Sequence, residues 1–232
     1  MRCIEDMTPS KSQQGFSLIE VVVAMAISSI IITAVYEFFN SQQRSYLAQD
    51  QVTEMQQNLR AGLSLMTREI RSAGFNPNQT ANLAGFVTDF AAPNDIFSPD
   101  INYTTDKSVI AFTIDDSINN IIESNDLEQI AYRINNNTLQ RYSATRKQWE
   151  AVANNISALD FVYLDQNGAV TTNPANFRAI EISLIVRAGK KDLHFKDSQT
   201  YLNKQGQNIC PSCNNDNYRH RLLSTTVYMR NL

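Results

Sequence analysis

Gln14-Gly15-Phe16-Ser17-Leu18-Ile19-Glu20 leads into VVVAMAISSIIITAVYEFF, which runs from Val21 to Phe39. Between Phe16 and Val35 only Ser17, Glu20, Ser28, Ser29 and Thr33 are polar. About 20 apolar residues in a helix span the hydrocarbon of a bilayer. A run that is apolar all round is not the one-sided stripe of a soluble surface helix. A secretory signal peptide would need a basic start and a small-residue cleavage site after the run. Here Arg2 and Lys11 are offset by Glu5 and Asp6, no such site follows, and the chain reads on as helix past Val35. The glycine stands before the run, so cleavage there would leave the membrane segment in place.

The rest of the chain sets the bounds. It has 232 residues, 43% hydrophobic and 19% charged. That is enough to bury a core and too apolar for a disordered tail. The formal charge is -3. With no Lys/Arg stripe evident in the sequence, a nucleic-acid partner is not expected. Surface polarity leans on Asn and Gln rather than on charge.

Beyond the apolar run, Val52, Met55, Leu59, Leu63, Met66 and Ile70 recur at steps of three and four, one face of an amphipathic helix. Gly74 reads as the residue that ends it, and Pro77 cannot continue it. Unbroken from 16 to 73, such a helix would be roughly 87 Å long at 1.5 Å per residue. From Asn78 onward, short β-branched and aromatic runs alternate with Asn, Asp, Pro and Gly. LAGFVTDF and SVIAFTID read as strands, with PNDIFSPD between them as a loop. EQIAYRIN and TLQRYS read as a hairpin across an Asn-rich turn. ISALDFVYLD is a strand ending at the turn Gln166-Asn167-Gly168. FRAIEISLIVRA is expected to pair with DLHFKDSQTYL across Gly189-Lys190-Lys191. HRLLSTTVYMRNL is the last strand. The expectation is an α+β chain: a long N-terminal helix, half membrane and half amphipathic, then a mostly antiparallel β head.

GFSLIE followed by a retained apolar helix resembles the N-terminal signature of type IV prepilins and pseudopilins. LRAGLSLMTREIRSAGF, AYRI with LQRYS, ISALDFVYLD-QNG and RHRLLSTTVYMRNL further resemble the PilW-type minor pilins. The resemblance covers the first 75 residues well and the head in patches. It implies a leader peptide over residues 1–15, cut by prepilin peptidase between Gly15 and Phe16, and N-methylation of Phe16. It further implies a membrane and assembly segment over 16–40, an amphipathic segment over 41–75 and a β-rich head over 76–232. The implied location is the inner membrane, single-pass, with the head in the periplasm and later at the pilus or cell surface. The implied partners are prepilin peptidase and other major and minor pilins, met through the N-terminal helix. In the family the acid at the position of Glu20 is thought to pair with the N-terminal amine of a neighbouring subunit. A lone carboxylate in hydrocarbon costs roughly 2.5–3.5 kcal/mol on insertion scales, so it needs such a use. The local alternative is that Glu20 favours a helix start. A pseudopilin of type II secretion and a non-polymerising, membrane-anchored periplasmic domain are the competing readings.

Candidate chemistry in the head is sparse. His194 and His220 are the only histidines, and no phosphate loop, G-x-S-x-G or H-E-x-x-H occurs. An enzyme is not expected, and neither is a cofactor or a bound metal. Asp115, Asp116, Glu123, Asp126 and Glu128 could supply oxygens to calcium, but their spacing is not an EF-hand loop, and a solvated loop is the simpler reading. Cys210-Pro211-Ser212-Cys213 is half a zinc site without a second half. Outside the cytoplasm two thiols this close oxidise, so a local disulfide between Cys210 and Cys213 is expected.

Overall fold

The computed structural model describes residues 15–78, 85–87, 108–123 and 125–231. The expected leader up to residue 14, with Cys3, and the expected loop PNDIFSPD lie outside the described residues, as do residues 83–84 and 88–90 of LAGFVTDF. The chain divides into two compact units, Met1–Gln49 and Asp50–Leu232. Helix α1 (Leu18–Ile70) contributes to both.

In the first unit every large apolar side chain of α1 from Leu18 to Phe39 is exposed. An 18-residue window of this helix has a mean hydropathy of 2.5, long and apolar enough to cross a membrane. Two of its hydroxyls are satisfied within the helix. Ser29 donates to the Ala26 carbonyl and Thr33 to the Ser29 carbonyl, each at 2.8 Å. Hydrocarbon offers no replacement hydrogen bonds, so this internal pairing removes a cost of insertion.

In the second unit the expected stripe is buried. Met55, Leu59, Leu63, Met66 and Ile70 are at most 6% exposed, with Val52 packed against their edge. Gly62 lies on the same face. A Cβ there would stand 2.9 Å from Leu139 Cδ2 and 3.4 Å from Leu184 Cδ2, so only glycine lets the helix come this close to both sheets. The α-helical pattern ends three residues earlier than the sequence suggested. Ser72 and Ala73 donate to Glu69 and Ile70, tightening the last turn to three-residue bonds. Gly74 follows with φ 74°, and its N–H bonds the Thr113 carbonyl at 3.1 Å.

Among the described residues the strands form two antiparallel sheets. The first follows chain order: β1 (Gly85–Phe86), β2 (Val109–Thr113), β3 (Gln129–Asn135), β4 (Thr138–Ser143) and β5 (Gln148–Asn154). Asn136 and Asn137 join β3 to β4 with φ of 49° and 57°, the double left-handed turn that matches strand twist and that asparagine tolerates. Strand β5 was not anticipated. Only Ala153 in it is buried, and an edge strand of this kind carries little apolar alternation to read.

The second sheet is β6 (Ile156–Leu164), β7 (Ala179–Arg187) and β8 (His220–Tyr228), with β7 in the middle. The expected pairing of β7 with DLHFKDSQTYL does not occur. Strand β7 is already flanked by β6 and β8, and eight of its nine residues are buried. Residues 188–219 form an excursion between β7 and β8 whose backbone bonds stay largely internal. Asp192 N–H donates to the Asn217 carbonyl, Asp197 N–H to the Asp216 carbonyl and Ile209 N–H to the Tyr201 carbonyl. Ile180, Ile182, Leu184 and Val186 of β7 face the core under α1. On the opposite face Ile185 is covered by Tyr201, Cys210 and Cys213 of the excursion.

Candidate functional site

The first candidate site is the start of α1. Ser17 Oγ accepts from the Glu20 N–H at 3.3 Å, and Glu20 Oε2 accepts from the Ser17 N–H at 2.8 Å. These reciprocal bonds are a capping box: the residue before the helix and the third residue within it satisfy each other's orphan donors. The acid therefore has a local partner, a use that the spacing Ser-x-x-Glu signals and that was missed in weighing Glu20 alone. One carboxylate oxygen is engaged; Oε1 has no hydrogen-bond partner among the described residues. Phe16 is 89% exposed, beside the Gly15–Phe16 bond. Gly15 is unlike Gly62. A Cβ on it would meet nothing within 4 Å, and its backbone is not left-handed. Among the described residues nothing requires a glycine there.

The second candidate is the excursion. Cys210 and Cys213 are joined by a disulfide, and both are at most 4% exposed. Beside it lies a polar hub that sequence reading did not find. The buried Asp197 accepts from Gln199 N–H at 3.0 Å and from the Tyr201 hydroxyl at 2.7 Å, and lies 3.0 Å from His220 Nδ1. The His220 ring is itself buried, with Asp216 3.7 Å from Nε2. Burial pushes the Asp197 carboxyl up, but the bonds from Gln199, Tyr201 and His220 outweigh it and hold the group below the usual carboxylate range. Burial and the Asp197 charge push the Tyr201 phenol up, so it stays a donor. Two more buried acids seat the neighbouring turn: Asp160 accepts from Asn203 Nδ2 at 2.9 Å, and Glu181 accepts from Lys204 N–H at 3.1 Å.

The acidic segment is more ordered than a solvated loop. Asp115 and Glu128 are at most 1% exposed. Asp115 accepts from the N–H groups of Asn119 and Asn120; Glu128 accepts from those of Ser117 and Glu123. Their oxygens thus shape the loop rather than face solvent. Asp126 bonds Ser143 Oγ and the Thr145 N–H, and Asp116 is exposed. Among the described residues no three His, Cys, Asp or Glu groups converge as a metal site. His194 is exposed and takes no part in the His220 hub. Asp165 accepts from Asn167 and Ala169 N–H, closing the Gln166–Gly168 turn.

An apolar helix long enough to cross a membrane, with a capped acid at its head, followed by an antiparallel β head around the helix's second half, has the form of a pilin-like protein. The family described as Prokaryotic N-terminal methylation motif matches residues 10–36, and the family described as Prepilin peptidase-dependent protein B matches residues 48–225. The chain belongs to the prepilin peptidase-dependent protein B family, a pilin-like structural family. No curated protein matches it significantly in sequence. Among solved structures, a type IV-like pilin from Thermus thermophilus is similar at 14% identity and a TM-score of 0.44, over 76% of this chain and 96% of that one.

Proposed function

We propose that this protein is a minor type IV pilin, of the PilW type, that helps start or cap a filament. Prepilin peptidase cuts between Gly15 and Phe16, and Phe16 is then N-methylated. Residues 16–40 hold the protein in the inner membrane with the head in the periplasm, and later pack among other major and minor pilins. The observation that carries this reading is Glu20: an acid with one oxygen capped and one open, at the head of a run whose large apolar side chains are all exposed. A charge so placed needs a cation once it enters an apolar surround, and the new amine of a neighbour's Phe16 would be cationic at neutral pH. Gly15 supports the cut, because with no internal need for glycine the requirement falls on an outside reader such as a peptidase.

Intact mass of membrane-extracted protein tests it. Loss of residues 1–15 plus one methyl group is expected, with the protein recovered in sheared filaments at low abundance. An unprocessed mass in cells that contain the peptidase would overturn the reading. The capping box also gives Glu20 a local use, which favours as second reading a membrane-anchored domain that never polymerises; its absence from filaments despite correct processing would select that reading.

A further inference from the structure

Strand β8 is an edge of its sheet: among the described residues it pairs with β7 and with nothing on its other side. Next to it, α1 leaves a cleft of about 660 Å³, within the usual range for binding clefts. Leu63 and Leu223 give it an apolar floor, and Arg60, Arg68 and Arg71 line it from the helix. A second hollow between the start of this helical stretch and β8 adds Lys196 and Arg221. None of these five cations forms an ion pair among the described residues. The carboxylate in either lining is Asp197, which is buried and already hydrogen-bonded. In a chain of net charge -3, that is a marked local segregation of positive charge.

We infer that the cleft between α1 and β8 takes up an extended acidic segment of another protein, which adds to the sheet as a strand beside β8. An open edge offers unpaired backbone donors and acceptors, and strand addition uses them for affinity while alternate side chains give specificity. On β8 the residues partnered with core positions of β7 are Arg221, Leu223 and Thr225, so they share the helix-facing side. Alternate residues of an added strand would fall on that same side, facing the arginines of α1. Carboxylates there would be matched, and basic strands would be repelled. Nucleic acid is the weaker occupant. The cleft by α1 has no aromatic side chain to stack a base, whereas its leucines and open edge suit polypeptide.

The test uses the full chain in detergent and a fluorescent peptide alternating Glu and Val, followed by anisotropy. Saturable binding is expected, weakened by salt. It should be lost when alternate peptide nitrogens are methylated, and weakened about tenfold or more by R60Q/R68Q. Both arginines are exposed, and an unchanged thermal midpoint of R60Q/R68Q confirms that the fold is kept. The proposal is overturned by no binding, by equal binding of the methylated peptide, by indifference to R60Q/R68Q, or by preference for an oligodeoxynucleotide of equal charge.

Discussion

Glu69, one residue before the end of α1, lies 3.0 Å from the Arg141 Nε of β4 and also accepts from the Tyr132 hydroxyl of β3. Arg141 in turn donates to the Asp126 carbonyl at 2.6 Å, so one guanidinium ties the helix end to the first sheet and to the acidic loop. The side chains of Glu69 and Arg141 are 15% and 17% exposed. Burial draws the Arg141 guanidinium down, but the bond and charge of Glu69 more than restore it, so the guanidinium stays charged.

Removing Glu69 strands a mostly buried cation. A fully buried pair broken on one side costs roughly 3–5 kcal/mol, and a single charged hydrogen bond about 1.5–3 kcal/mol. With some solvent access, Glu69→Ala should fall in the lower range, and Tyr132→Phe should cost about 1 kcal/mol. Trp149, the only tryptophan, is on the adjacent β5 and reports urea unfolding by fluorescence. Equal midpoints for Glu69→Ala and the parent would show the clamp to be idle.

Gly62 tests the close approach of α1. Alanine gains about 1 kcal/mol of helix propensity over glycine, but crowding of a packed core costs typically about 1–3 kcal/mol. Leu139 and Leu184 are fully buried and have little room to move. Gly62→Ala should therefore be neutral to about 2 kcal/mol destabilising, and Gly62→Val clearly worse, read from the same urea midpoints. A stabilised Gly62→Val would mean that the sheets yield freely.

These two contacts also mark what the sequence could show. The stripe from Val52 to Ile70 was legible because six apolar residues recur at helical steps. The Asn136-Asn137 turn was legible because two asparagines separate two alternating runs. Gly62 was not, because a glycine inside a helix signals nothing until its neighbours are known. The Asp197–His220 hub was not, because its members lie 23 residues apart with no periodicity between them. Strand β5 buries one residue of its seven and so lacks a burial pattern. DLHFKDSQTYL alternates like a strand, yet the segments its backbone bonds to lie within the same excursion, and sequence alternation alone cannot choose a partner.

The hub predicts acid sensitivity. The folded Asp197 carboxyl sits below its ordinary value, so its contribution is complete above that range and is lost as pH falls through the folded value. Asp126, lowered by Thr145, Ser143 and Arg141 against the cost of burial, acts in the same sense. Stability should drop below about pH 4. Asp197→Asn should lower neutral stability by about 1.5–3 kcal/mol and flatten this acid limb, because a charged bond is replaced by a neutral one that does not titrate. An acid limb unchanged in Asp197→Asn would place the titration elsewhere.

The disulfide closes a short loop, and by chain entropy its effect on the whole fold should stay below about 3 kcal/mol. Its local effect is larger, because both cysteines sit in one buried cluster with Tyr201 and Ile185. Cys210→Ser with Cys213→Ser should leave the first sheet's hydrogen-exchange protection intact while residues 197–217 exchange faster. Loss of protection throughout both sheets would show the bond to be a global staple.

The last prediction separates the two uses of Glu20. Glutamine at the third helical position also completes a capping box, since its carbonyl oxygen can take the Ser17 N–H. It carries no charge to offer a cation. Glu20→Gln thus keeps the helix start and removes any pairing with an amine. Ser17→Ala does the reverse: it deletes the hydroxyl that accepts from the Glu20 N–H, at a typical cap cost of about 1 kcal/mol, and leaves the carboxylate. If Glu20 acts in assembly, Glu20→Gln should be inserted, processed and folded yet missing from sheared filaments, while Ser17→Ala is incorporated. If the acid merely starts the helix, the ranking inverts, with Glu20→Gln normal and Ser17→Ala impaired in insertion or processing. Immunoblots of membrane and sheared fractions with an antibody to the head read both variants side by side. Normal incorporation of Glu20→Gln would remove the amine pairing from the mechanism, because the cap alone would then account for the acid.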